Sequence, residues 1–215
     1  MSSARTPDAD PTARDTPIGS RAGLILAAGE SRRFGPHPKL LAKLQGRPLL
    51  EHAIRAQCAT PQLARVVVVL GAHAAQLSAA IDFGRAEPVI CEQWRQGQAA
   101  SLRCGLARLS HATKVIVTLG DQPLMTPRVI ARFLDEPPGA RAVYHSRPGH
   151  PVVLGREHMR AIERLTGDYG ARDLLADGPT IECADLSSGR DVDTREDLDA
   201  IRAEVNPAGR AAVLP

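Results

Sequence analysis

The sequence predicts an α/β fold: one domain, a three-layer α/β/α sandwich around a mostly parallel sheet. Two observations carry this. Continuously apolar runs recur at 22–27, 65–70 and 114–119, as strands buried on both faces require. Segments with a helical apolar period separate them, giving the strand–helix–strand alternation of a covered parallel sheet. In order, AGLILA (22–27) is a strand and LLEHAIRAQCA (49–59) a helix. RVVVVL (65–70) is the second strand, HAAQLSAAI (73–81) a helix and EPVICE (87–92) a short strand. SLRCGLARL (101–109) is a helix and KVIVTL (114–119) a buried strand. TPRVIARFL (126–134) opens with Thr126 and Pro127, a good helix start. RAVYHS (141–146) and PVVLG (151–155) pair around a tight turn holding His150. Helices follow at 155–165 and 171–177, then a strand at 180–185. The closing helix, 194–204, takes Thr194 as N-cap and acids in its first turn. The domain is expected over 21–205, between a disordered polar tail (1–20) and a short C-terminal tail (206–215).

Composition narrows the function. The 215 residues suit one domain, and 43% hydrophobic content supplies a core. A net charge of +3 and only 3% aromatics argue against a nucleic-acid surface. No run reaches the ~18 apolar residues of a membrane span, and residues 1–20 lack the apolar stretch of a signal peptide. The expectation is a soluble cytoplasmic protein with no nucleic-acid or membrane partner. Cys58, Cys91, Cys104 and Cys183 form no CxxC pair, so four reduced thiols are expected, with no disulfide and no zinc site.

Ligands of open parallel sheets bind beyond the carboxyl ends of the strands, here after residues 27, 70 and 119. The first of these loops reads LAAGESRRFGPHPKLL. Small Ala27, Ala28 and Gly29 after Leu26 let the backbone approach a ligand. Arg32, Arg33 and Lys39 add three cations. Small backbone, free amides and fixed cations suit a polyphosphate. The loop is not a Walker loop, because Pro36 follows Gly35. It is not a dinucleotide fingerprint either: the spacing is GxxxxxG.

LILAAGESRRFGPHPK resembles the signature LAxGxSxRMGxxK of the MobA-like nucleotidyltransferases, closest to the molybdenum cofactor cytidylyltransferase (MocA) branch. The resemblance runs over about residues 22–203. Phe34 replaces the usual methionine, and the Gly35–Lys39 gap is one residue longer than in many MocA-type sequences. The resemblance implies a Rossmann-like sheet of the nucleotide-diphospho-sugar transferase type. It also implies that Arg33 and Lys39 hold a triphosphate, with Leu26, Ala27, Ala28, Gly29 and Gly71 around the nucleotide.

Asp121, in GDQP after the third buried strand, stands where a carboxylate can bind Mg²⁺. RDVDTREDL offers a second carboxylate. Asp191 and Asp193 lie two apart on one face of an extended stretch, and spacing does not choose between them. The family motif DxDTPxDL implies Asp193 as the metal ligand, with Asp191 as the alternative; Mn²⁺ could replace Mg²⁺. Arg33, Lys39 and Asp121 are the implied catalytic set. WRQGQAASLRCGL matches the branch pattern W-x-x-G-x-x-x-S, which puts Gly97 and Ser101 on the nucleotide. RPGHPVVL and GDYGARDLL match acceptor motifs, implying that His150, Gly167, Asp168 and Arg172 meet the acceptor.

The implied reaction transfers CMP from CTP to the phosphate of molybdopterin and releases pyrophosphate. The implied partners are CTP, molybdopterin and a recipient molybdoenzyme of the xanthine dehydrogenase type. Within the same chemistry, the rivals are a guanylyltransferase and a nucleotidyltransferase for sugar phosphates or methylerythritol phosphate. Outside it stand an NAD(P)-dependent oxidoreductase and a non-catalytic cofactor chaperone.

Overall fold

A computed structural model of the chain describes residues 19–165 and 173–206. A seven-stranded sheet forms its centre. The strands are β1 (Arg21–Ala27), β4 (Leu63–Leu70), β5 (Glu87–Ile90), β6 (Lys114–Leu119), β7 (Arg141–Tyr144), β8 (Arg147–Gly155) and β9 (Thr180–Glu182). A small hairpin, β2 (Lys43–Leu44) and β3 (Arg47–Pro48), sits apart from the sheet. The order is β5-β4-β1-β6-β8-β7-β9, and β8 alone runs against the rest. The chain leaves β1 for β4 on one side, and β6 lies on the other. The β1/β6 boundary is therefore the topological switch point, where a crevice opens.

Alternation along the central strands fills both faces. Ile25, Val66, Val68, Leu70 and Ile116 face one core. They pack on α1 (Leu49–Cys58), α2 (Ala74–Ala80) and α4 (Pro127–Arg132) through Leu50, Ile54, Leu77, Val129 and Ile130. Leu24, Val67, Val69, Val115 and Val117 face the other core. There α3 (Gln98–Ala107) and α5 (Arg156–Ile162) contribute Leu102, Leu106 and Ile162. Thr126 caps α4 by accepting from Val129 N at 3.3 Å, with Pro127 at the first helical position.

A third, smaller cluster lies beside the crevice. Phe34, Leu44 and Leu49 meet Val192, Leu198 and Ile201, the last two on α6 (Arg195–Val205). Phe34 is thus a packing residue, and Arg195 lies over its ring at 5.6 Å. This cluster clamps the long loop after β1 to the segment before α6.

Four expectations are corrected. The turn between β7 and β8 is His145–Ser146, both with positive φ (49° and 66°), while His150 lies within β8. Two left-handed residues make the tight reversal, so the second strand begins earlier than its apolar part does. The helix expected at 101–109 starts at Gln98, because Gly97 (φ 101°) turns the chain into it. Of the helix expected at 171–177, the described part is a single 3₁₀ turn at Asp173–Leu175. Lastly, Cys91 and Cys104 form a disulfide, leaving Cys58 and Cys183 as thiols. Their sequence separation hides the pairing. Cys91 follows β5, α3 folds back against that strand, and the two Cα atoms come within 5.7 Å. Among the described residues no helix is long and apolar enough to cross a membrane.

Candidate active site

The crevice lies where the switch point predicts it. Backbone bonds stitch its loops together: Gly120 N donates to Leu26 O (2.9 Å), Ala72 N to Ala28 O (3.1 Å) and Val192 N to Asp121 O (2.9 Å). Two adjoining cavities share Leu26, Gly29, Ser31, Arg32 and Asp121. The smaller, about 160 Å³, adds Ala27, Arg33, Lys39 and Asp193. The larger, about 690 Å³, adds Ala28, Trp94, Gly97, Gln98 and Ser101. A Cβ at Gly29 would meet nothing within 4 Å, so the bare backbone there faces open cavity.

Lys39 is the hub. It stands on a 3₁₀ turn after Pro38 and is buried. Its Nζ donates to Asp121 Oδ2 at 2.6 Å and Asp193 Oδ1 at 2.9 Å. The longer Gly35–Lys39 stretch therefore reaches both carboxylates. Burial alone would depress the Lys39 pKa, but the two acids outweigh it and hold it above the ordinary lysine value. Arg33, largely exposed, pairs with Asp193 Oδ2 at 2.8 Å.

Local structure fixes both acids. Asp121 follows β6 directly. Asp193 precedes the N-cap of α6, where Thr194 and Asp197 form a capping box. Asp193 N and Thr194 N both donate to Asp197 Oδ2, at 3.0 and 2.8 Å. Val192 is fully buried in the third cluster, which pins the residues on either side of it. Asp191 does something different: its Oδ1 accepts from Gln122 Nε2 at 2.6 Å. Gln122 also donates to Gly189 O (3.4 Å), hooking the post-β6 loop to the pre-α6 loop. Sequence reasoning missed Gln122; the signal available was a glutamine beside Asp121 in GDQP.

The residues fit a divalent cation. Asp121 Oδ1 is buried without a hydrogen-bond partner, while its Oδ2 is held by Lys39. Among the described residues no group of three or more metal-ligating side chains converges. A hard cation held by one or two carboxylates, with phosphate oxygens as further ligands, suits such a sparse donor set.

Other expected residues fall elsewhere. Gly71 lies behind the cavity wall: a Cβ there would strike Ala28 O at 2.5 Å and Trp94 Cβ at 2.8 Å. It allows close packing of three loops and does not line the cavity. His150 lines neither cavity, and its carbonyl accepts from the Tyr144 hydroxyl at 2.7 Å. The pairing Val117↔Val152 still puts the start of β8 at the crevice end of the sheet. Gly167, Asp168 and Arg172 lie outside the described residues. Gln98 and Arg95 line the larger cavity and were not anticipated; Arg95 lies over the Trp94 ring at 4.5 Å.

Comparison with known proteins adds the following. The MobA-like NTP transferase domain family matches residues 23–183. Nicotine blue oxidoreductase of Paenarthrobacter nicotinovorans is 33% identical over 199 residues, covering 86% of this chain and 97% of that protein. Bifunctional protein GlmU of Caulobacter vibrioides is 39% identical over 165 residues; the match takes in 75% of this chain but only 32% of that larger protein. The structure of Rv0371c from Mycobacterium tuberculosis superimposes with a TM-score of 0.74 at 28% identity, over 86% of this chain and 98% of that one. The same protein has been solved in complex with manganese, and that structure superimposes with a TM-score of 0.70.

Proposed function

The chain belongs to the MobA-like NTP transferase domain family, and from that premise we propose that it transfers CMP from CTP to the terminal phosphate of molybdopterin, releasing pyrophosphate. Membership makes it a nucleotidyltransferase. One observation carries the reading to this site: a buried lysine and two carboxylates converge beside a small-residue loop at the switch point.

The chemistry asks little of the protein beyond placement. The nucleophile is a phosphate oxygen, already anionic, so no general base is needed. It attacks the α-phosphorus in line, the bond to the bridging oxygen breaks, and pyrophosphate departs. Lys39 and Arg33 offset charge that grows on the leaving phosphates. The loop from Ala27 to Ser31 lets backbone amides approach the triphosphate. The larger cavity, walled by Trp94, Gly97, Gln98 and Ser101, takes the nucleoside. Asp121 and Asp193 would hold a divalent cation, Mg²⁺ or Mn²⁺, which neutralises phosphate charge when bound. The CTP preference rests on the LAAG form of the first motif. The acceptor rests on the GHP and GDYGAR segments.

Pyrophosphate release, with Mg²⁺ and molybdenum-loaded molybdopterin and CTP against GTP, tests this. Release with CTP alone is expected. Release with GTP alone overturns the base, and release with neither overturns the acceptor.

A second reading has one specific observation behind it: the Paenarthrobacter relative is named for an oxidoreductase. Against it, the loop after β1 lacks the dinucleotide fingerprint, and β4 ends in apolar Leu70, not in an acid for a ribose. NADPH consumption by the purified protein without any nucleotide transfer would favour that reading instead.

A further inference from the structure

The disulfide has a position that the reaction does not explain. Between Cys91 and Cys104 lie Trp94, Gly97, Gln98 and Ser101, which form one wall of the larger cavity. The stretch of this wall before α3 is lightly packed, although Trp94 rests on the second core. None of residues 92–96 is buried. Its backbone is held by single-turn bonds: Trp94 N to Cys91 O (3.2 Å), Gly97 N to Trp94 O (3.1 Å) and Ala100 N to Gly97 O (3.1 Å). Gly97, at φ 101°, is a natural pivot. The two ends of the segment differ from its middle. Cys91 is fully buried, and its amide donates to Leu70 O at 2.8 Å, so it is tied to the sheet. Cys104 is half-buried on α3. The S–S bond thus joins the start of this lightly packed stretch to α3, the helix that carries Gln98 and Ser101.

We propose that the Cys91–Cys104 disulfide is a positioning brace for the nucleoside-binding wall, and that its reduction by a dithiol weakens nucleotide binding while leaving the phosphate-transfer residues in place. This rests on the nucleotide reading of the cavity. The exchange balances. A dithiol's thiolate attacks Sγ of Cys104, the more accessible sulfur, and Cys91 leaves as a thiolate. The second thiol then resolves the mixed disulfide. The reductant becomes a cyclic disulfide, and Cys91 and Cys104 gain two electrons and two protons. The freed wall must then be ordered by the ligand, which lowers affinity without new contacts being lost. Lys39, Asp121 and Asp193 hang on other elements and keep their geometry.

Trp94 is the chain's single tryptophan and lies inside the braced segment, so its fluorescence reports the wall directly. The full chain is equilibrated with oxidised glutathione or with dithiothreitol. Thiols are counted in denaturant, and CTP is titrated on the Trp94 emission with no acceptor present. Two thiols are expected in the oxidised form and four after reduction. The CTP dissociation constant should rise on the order of tenfold on reduction, reversibly, and in turnover the change should fall on KM rather than kcat. Cys104→Ser should bind CTP like the reduced form and ignore dithiothreitol, whereas Cys58→Ser should keep the full response. Because the wild-type comparison is reversible, it stands even where Cys104→Ser folds poorly. Four thiols in the oxidised protein, or equal CTP affinity in both forms, overturns the brace. No response to CTP, or to GTP in its place, in either form refutes the nucleotide reading itself and the brace with it.

Discussion

Replacing Asp121 by Asn tests the core of the proposed site, because it removes one charge with almost no change of shape. Asp121 Oδ2 holds Lys39 at 2.6 Å, and the two side chains are 20% and 11% exposed. Breaking a fully buried pair costs about 3–5 kcal/mol. Here Asp121 retains some solvent, and Lys39 keeps Asp193 at 2.9 Å. The expected loss of stability is therefore smaller, about 1–2 kcal/mol. In a chain of this size that lowers Tm by roughly 2–8 °C, so the variant stays folded. The effect on turnover should be larger. Losing one charged group that acts on the reacting phosphates lowers kcat/KM by about 10²–10³-fold, roughly 2.7–4 kcal/mol. Asn also offers a weaker ligand in place of the unpartnered Oδ1, so half-maximal activity should need more divalent cation. Pyrophosphate release is measured against cation concentration, with thermal unfolding alongside. A folded Asp121→Asn protein with kcat/KM within threefold of wild type, and an unchanged cation requirement, would refute the reasoning.

Other predictions follow the same geometry. Lys39→Ala should lower kcat/KM for CTP by about 10²-fold or more, read as pyrophosphate release; an unchanged value would remove Lys39 from triphosphate handling. Asp191→Asn should spare kcat/KM to within about tenfold, because Asp191 holds Gln122 and not Lys39; a loss matching Asp121→Asn would make it a ligand after all. Gly71→Ala drives a methyl into Ala28 O and Trp94 Cβ, so urea unfolding should show about 1–3 kcal/mol of destabilisation. His158 gives a pH test. Burial holds its imidazole below the ordinary value, and its Nδ1 accepts from Gly155 N at 3.2 Å, which requires the neutral ring. A depressed folded pKa contributes stability above the unfolded value that is lost as pH falls through the folded one. His158→Gln should therefore flatten the acid side of the stability profile below about pH 6.5, and an unchanged slope there would contradict the assignment.

Much of this protein was legible in its sequence, for reasons that are local. A strand buried on both faces must be apolar throughout, so 22–27, 65–70 and 114–119 declared both themselves and the loops beyond them. Small residues, cations and a carboxylate at strand ends are short-range signals as well. They marked Gly29, Arg33, Lys39 and Asp121, and the family motifs marked Asp193.

What tertiary structure alone decided depends on contacts between distant segments. Spacing left Asp191 and Asp193 equivalent. They part only because Val192 is buried in a cluster with Phe34 from the other end of the chain, and Gln122 engages Asp191. The left-handed pair His145–Ser146 moved the β7–β8 turn away from His150. Gly71 became a packing residue because Trp94 backs onto it. The Cys91–Cys104 bond exists because α3 returns to β5, an approach that the spacing of the two cysteines does not encode. The sequence determined which side chains could do the chemistry, since residue type and strand period are carried locally. The fold decided which of them meet, since that depends on how separate elements pack.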